Sequence, residues 1–148
     1  MEKCNLLLVE DNQGDVRLVR EALQESGIDF QVRVAGNGHE ALHLLGYEQE
    51  TDPDCLPDVI LLDLNLPRLN GRELLSILKE NNLYRRIPVV IFSSSQNEED
   101  IKLCYQSRAN CYISKPIGFE DYIQVIHRIL EFWFKTATLP VSAANMPN

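Results

Sequence analysis

The chain has no run of basic residues; Arg85-Arg86 is its only adjacent pair, and 14 Lys and Arg stand against 22 Asp and Glu for a formal net charge of -8. Recognition of a phosphate backbone needs clustered cations, so this balance argues against a nucleic-acid surface. Long apolar runs are missing too. None approaches the roughly 20 residues of a membrane-spanning helix, and the amino terminus lacks the charged-then-apolar pattern of a leader. The four cysteines, Cys4, Cys55, Cys104 and Cys111, have no CxxC spacing and no neighbouring histidine. That speaks against a zinc site or a disulfide framework and leaves small thiols in a reducing compartment. A cytoplasmic protein, bound to neither membrane nor nucleic acid, is the expectation. The three histidines, His39, His43 and His127, fall on helix-like segments and are expected at the surface.

What is present is an alternation. At 148 residues, with 45% hydrophobic and 24% charged residues, the chain has the size and balance of one globular domain. Strand-like segments near residues 5–9, 30–34, 59–62, 89–92 and 111–113 alternate with helix-like ones. Asn12 and Asn97 stand where helix caps are needed, and Glu98, Glu99 and Asp100 suit the positive end of a helix dipole. The first helix carries Val16, Val19, Leu23 and Ile28; the last carries Phe119, Tyr122, Ile123, Ile126, Leu130 and Trp133 as a core-facing stripe. Residues 47–57, acidic and containing Pro53 and Pro57, read as a loop longer than usual. From about residue 135 the composition is that of a tail.

Leu6-Leu7-Leu8-Val9 and Val59-Ile60-Leu61-Leu62 are continuous apolar runs, the mark of strands buried on both faces of a parallel sheet. Five strand–helix repeats predict such a sheet between layers of helices, joined by right-handed crossovers. All strand ends then share one edge, where open α/β sheets bind ligands. Those ends carry Glu10-Asp11, Asp63, Ser93 and Lys115. Three carboxylates together repel: at about 4 Å and an effective dielectric near 20, each pair costs roughly 4 kcal/mol before relaxation. One lysine is too little compensation, and a few hard oxygens suit Mg²⁺. Acids, a cation, an ammonium and a hydroxyl around one carboxylate describe a phosphoryl-transfer site with Asp63 as nucleophile.

The motifs Leu8-Val9-Glu10-Asp11, Leu61-Leu62-Asp63-Leu64-Asn65-Leu66-Pro67, Asn70-Gly71, Phe92-Ser93 and Tyr112-Ile113-Ser114-Lys115-Pro116 occur in this order. Over about residues 4–134 the chain resembles the receiver domain of two-component response regulators. The resemblance implies a flavodoxin-like (βα)5 fold, α/β, with strand order 2-1-3-4-5, a receiver over residues 1–134, and a tail at 135–148 without an output domain. It implies that Asp63 accepts a phosphoryl group from a sensor histidine kinase. Asp11, Asp63 and the backbone carbonyl of Asn65 would hold Mg²⁺, with Glu10 acting through water. Lys115 would bind the phosphoryl group, Ser93 and Tyr112 would form the switch, and Asn65 and Ser95 would tune hydrolysis. Lys115-Pro116 is expected as a cis peptide. Glu10 stands where many members have Asp, and Ser93 where Thr is commoner. The insertion at 47–57, Glu98-Glu99-Asp100 and the ending Phe132-Trp133-Phe134…Thr138-Leu139-Pro140 resemble the stand-alone regulators of cyanobacterial and bacterial phytochromes, which implies a phytochrome as the kinase.

Other readings remain open at this level. A degenerate receiver could act as a constitutive protein-binding module, although the intact acidic set argues against it. A haloacid-dehalogenase phosphatase would need Asp where Asn65 stands, and a flavin-binding loop would not place Glu10-Asp11-Asn12 beside a phosphate. The receiver would be an enzyme only toward its own aspartyl phosphate. Adjacent aromatics on a helix diverge by about 100°, so Phe132 and one of Trp133 and Phe134 are expected to leave the core. Such a patch favours a homodimer, unless the tail covers it.

Overall fold

A computed structural model describes residues 3–49 and 56–140. The core of the long loop expected at 47–57, and Cys55 with it, lies outside the described residues, as does the tail beyond 140. Five strands, β1 (Cys4–Val9), β2 (Phe30–Ala35), β3 (Val59–Leu62), β4 (Val89–Ser93) and β5 (Cys111–Ser114), alternate with five helices. These are α1 (Gln13–Glu25), α2 (Gly38–Leu45), α3 (Gly71–Glu80), α4 (Glu98–Gln106) and α5 (Phe119–Glu131). The sheet is parallel throughout, in the order β2-β1-β3-β4-β5. This is the flavodoxin-like arrangement that the alternation and the resemblance lead one to expect.

The apolar runs explain the layers. Side chains alternate across a strand, so Leu7, Val9, Ile60, Leu62, Val89 and Ile91 share a core with Leu42 and Leu45 of α2 and Leu74, Leu75 and Leu78 of α3. Leu6, Leu8, Val59, Leu61, Val90 and Phe92 face the other way, onto Val16, Val19 and Leu23 of α1 and Tyr122, Ile126 and Leu130 of α5. Both faces of the central strands are therefore closed to water, which leaves the strand ends as the place for polar chemistry.

Four of the five helix starts near those ends are held by an asparagine cap; α5, which begins after Gly118, has none. Asn12 Oδ1 accepts from Asp15 N at 3.0 Å, and Asn97 Oδ1 accepts from Glu99 N at 2.8 Å. Asn70 and Glu73 form a reciprocal capping box on α3. Gly71, the first residue of α3, packs directly on the loop after β3. A Cβ there would come 2.2 Å from the Asp63 carbonyl oxygen, so only glycine permits this approach.

Three sequence expectations change. Ile28 lies past the end of α1, which stops at Glu25 before Gly27 at φ 72°. Phe119, placed in the buried stripe of α5, is 59% exposed; it is the first residue of the helix. The aromatic end also differs. A π-helical turn spans Phe132–Thr136, closed by Ala137 N donating to Phe132 O at 2.7 Å. The wider turn brings neighbouring side chains closer in direction than an α-helix would. Phe132 is exposed, as expected, but Trp133 and Phe134 both pack on the α1/α5 core with Leu139. Phe134 meets Phe30 edge-on at 4.9 Å.

Candidate functional site

Continuing hydrogen bonds carry the sheet's order past its last paired residues. Glu10 N donates to Ala35 O at 2.9 Å, Asp63 N to Val9 O at 3.0 Å, and Lys115 N to Ser93 O at 2.8 Å. The side chains that leave this edge therefore start from fixed backbone. Glu10, Asp11 and Asp63 each bring one carboxylate oxygen into a group spanning no more than 4.8 Å. Glu10 and Asp63 are buried and Asp11 is exposed, so the group opens to solvent on one side.

Lys115 reaches into the same place. Its Nζ makes a very short contact with Glu10 Oε1 and lies 3.3 Å from Asp15 Oδ2 and 3.4 Å from Asp63 Oδ2. An ammonium has three protons to donate, and here three carboxylates face them. Burial lowers the Lys115 pKa, but Glu10, Asp63 and Asp15 outweigh it and the net shift is upward. Glu10 is pushed up to about 7, first by burial and then by the charge of Asp63, against the hydrogen bond and charge of Lys115. A carboxyl held there sits at the edge of protonation in neutral solution, which is how a crowded acidic group sheds charge while no cation is bound.

Ser93 is fully buried and accepts from Ser95 N at 3.3 Å. The Ser95 hydroxyl donates to Asp100 Oδ2 at 2.8 Å, and Asp100 also meets Arg72 Nη1 at 3.4 Å. Tyr112 Oη donates to Ser95 O at 2.7 Å; burial raises its pKa, against the hydrogen bonds of Ser95 and Ser93. Asn65 is exposed, and its N–H donates to Asp63 Oδ1 at 3.4 Å. The structure thus brings Glu10, Asp11, Asp63 and Lys115 together and ties Ser93, Ser95 and Tyr112 into one loop. Phe132, Trp133 and Phe134 belong to the far end of α5.

The Lys115-Pro116 peptide is trans, since no cis peptide occurs among the described residues. The two isomers of an X-Pro bond differ by only about 0.5–1 kcal/mol, and Lys115 reaches Glu10 and Asp63 from the trans form. Two further residues were not read from the sequence. Asp15 lies one turn into α1; its signal was its place in the first turn, from which side chains lean back toward the helix start. Lys79 is buried at the opposite edge of the sheet, where it donates to Arg85 O, Ile87 O and Asn110 Oδ1 at 2.9 to 3.1 Å. His39 and His43 are exposed, whereas His127 is half-buried against Ala22 O at 3.2 Å. Cys104 is buried and Cys4 and Cys111 are half-buried, and Cys104 and Cys111 are free thiols.

Hard carboxylate oxygens at this spacing suit a divalent cation rather than a soft metal. Known proteins share the fold. The chain is 40% identical over 137 residues to the response regulator Rcp1 of Synechocystis, covering 93% of each chain. It superposes on the phosphorylated cyanobacterial phytochrome response regulator RcpA with a TM-score of 0.86 at 42% identity, covering 95% of this chain and all of that one. The Mn²⁺-bound form of Rcp1 superposes equally well, at 40% identity over 93% of this chain and 99% of that one. Residues 6–127, which run from the first buried strand to the last helix and include every acid of the cluster, match the response regulator receiver domain, and the chain belongs to that family.

Proposed function

We propose that this chain is a phosphorylatable signalling switch whose acceptor is Asp63. The observation that carries this reading is the ammonium of Lys115 set against the acidic group of Glu10, Asp11 and Asp63. In the proposed reaction a carboxylate oxygen of Asp63 attacks the phosphorus of a phosphohistidine on a sensor kinase. The P–N bond breaks, its electron pair returns to the imidazole nitrogen, and that nitrogen takes up a proton. Lys115 offsets the charge that gathers on the phosphoryl oxygens. Asp11, Asp63 and the Asn65 carbonyl, with Glu10 beside them, would hold Mg²⁺. When bound, the ion neutralises the acids and screens Asp63 from the incoming group. After transfer, the Ser93 hydroxyl donates to the phosphoryl group and Tyr112 follows it, while Asn65 and Ser95 tune hydrolysis. The chain does no catalysis beyond making and losing its own acyl phosphate.

The similarity to a phytochrome response regulator supports a phytochrome-type histidine kinase as the donor, and the free thiols of Cys104 and Cys111 suit the cytoplasm. The receiver is assigned to residues 1–134. Phe132, 51% exposed, with the outer edges of Trp133 and Phe134, is the proposed contact of a homodimer. The signal leaves by phosphorylation-dependent binding or onward transfer. Intact mass after incubation with acetyl phosphate and Mg²⁺ tests the central claim. One added phosphoryl group, absent in Asp63→Asn, is expected. No addition under any donor would replace this reading by that of a constitutive binding module.

A further inference from the structure

Away from the acceptor, at the edge where the strands begin, a cavity of about 380 Å³ opens between the carboxyl ends of α3 and α4. That is the lower end of the roughly 300–1,000 Å³ usual for small-molecule sites. Its walls include Lys79 and Glu80 from the last turn of α3, Arg85 from the turn before β4, and Arg108 just past α4. Three cations against one acid make a positive site in a chain whose net charge is -8. No ion pair among the described residues includes any of the three cations.

Lys79 stands at the back of this cavity. It is 8% exposed, and its protons go to Arg85 O, Ile87 O and Asn110 Oδ1, all neutral acceptors. Its hydrogen bonds are satisfied, but its charge is not. Burial lowers its pKa, and no acid opposes the shift. Arg108 supplies the second observation. Its N–H donates to Tyr105 O and the next one, of Ala109, to Cys104 O, the closing bonds of a helix end, and its φ is 71°. Glycine fills such a position freely, whereas a residue with a Cβ is strained there. The strain sets an exposed guanidinium on the cavity wall. Among the described residues neither this guanidinium nor that of Arg85 donates to a carbonyl or a carboxylate, so neither caps the negative helix ends beside it.

We propose that this cavity binds a small phosphate dianion, with Arg85 and Arg108 as its direct donors and the Lys79 ammonium as a fixed positive charge behind it. Guanidinium forks match phosphate oxygens in pairs, and an excess of cations over the single carboxylate of Glu80 suits a doubly charged ligand. The buried ammonium then gains the opposite charge that its carbonyl partners do not supply. The hydroxyls of Ser76 and Ser107, on the same wall, are further donors to acceptor-only oxygens. No residue of the acceptor edge takes part, so the proposal stands apart from the receiver reading.

Calorimetric titration with inorganic phosphate gives the test, without Mg²⁺, at about pH 8 where phosphate is doubly charged, and at an ionic strength held constant with chloride. Saturable binding by the wild type is expected. Arg85→Gln and Arg108→Gly are each expected to weaken it about tenfold, the worth of one hydrogen bond to a charged group. Without phosphate, Arg108→Gly is expected to melt no lower than the wild type, because glycine relieves the strain at φ 71°. Lys115→Ala, at the opposite edge, is expected to bind phosphate as the wild type does. A wild type without saturable binding, wild-type affinity in either arginine variant, or binding lost in Lys115→Ala overturns the proposal. None of these results bears on Asp63, whose uptake of a phosphoryl group from acetyl phosphate both arginine variants should retain.

Discussion

Replacing Lys115 by Ala removes the one ammonium that faces Glu10, Asp15 and Asp63, and the structure states how the cost should depend on pH. Breaking a buried ion pair by deleting one partner costs about 3–5 kcal/mol when the stranded charge has no escape. Glu10 has one. With its pKa already at about 7, it can take a proton near neutrality at little expense. In the wild type a carboxyl raised from 4.5 to about 7 by burial makes folding less favourable as pH rises through that interval, and no further above it. Without Lys115 the folded pKa of Glu10 rises again, so the decline continues beyond pH 7. Below pH 6 the variant loses the charged hydrogen bonds to Asp63 and Asp15, both long at 3.4 and 3.3 Å, a smaller cost than stranding a further buried charge. Above pH 7 the gap to the wild type widens by up to about 1.4 kcal/mol per pH unit and levels off near the full 3–5 kcal/mol of a broken buried pair. Urea denaturation between pH 5.5 and about 9 in metal-free buffer measures this. Excess Mg²⁺ should narrow the gap, because it supplies the missing positive charge. A gap that is constant across this range would refute the account of Glu10 as the group that absorbs the charge.

Metal affinity should follow the same carboxyl. Glu10 must be unprotonated to join Asp11 and Asp63, so affinity should rise with pH up to about 7 and flatten above it; a flat response in a metal titration at pH 6 and 8 would contradict this. Gly71→Ala should destabilise the fold by about 1–3 kcal/mol or more, because its Cβ would meet backbone, the Asp63 carbonyl, which cannot turn aside as a side chain would. Thermal melts report the loss, and an unchanged melting temperature would show that the α3 contact is looser than it stands here. Phe132→Ala, at an exposed aromatic, should shift sedimentation toward monomer with little change in stability; a wild type that sediments as a monomer at every concentration ends the dimer proposal.

The alternation of buried strands and capped helices determined the fold class without help from tertiary structure. A run such as Val59-Ile60-Leu61-Leu62, flanked by turn signals, has no polar side for water and reads as an interior strand, and Asn12 and Asn97 mark helix starts by local hydrogen bonding. Parallel topology then carries Glu10, Asp63, Ser93 and Lys115 to one edge, so most of the candidate site was legible from where strands end. Other features depend on contacts that no local pattern encodes. Asp15 on α1 and Lys115 beyond β5 lie 100 residues apart, and whether they meet is decided only when the helix packs beside the sheet. The π-helical turn that returns Trp133 and Phe134 to the core, the trans Lys115-Pro116 peptide and the exposure of Phe119 are likewise tertiary outcomes. Each balances conformations that differ by little in local energy, and the surrounding packing selects among them. The sequence determined which groups reach the edge of the sheet; the packed structure decided that Lys115 is shared among three acids.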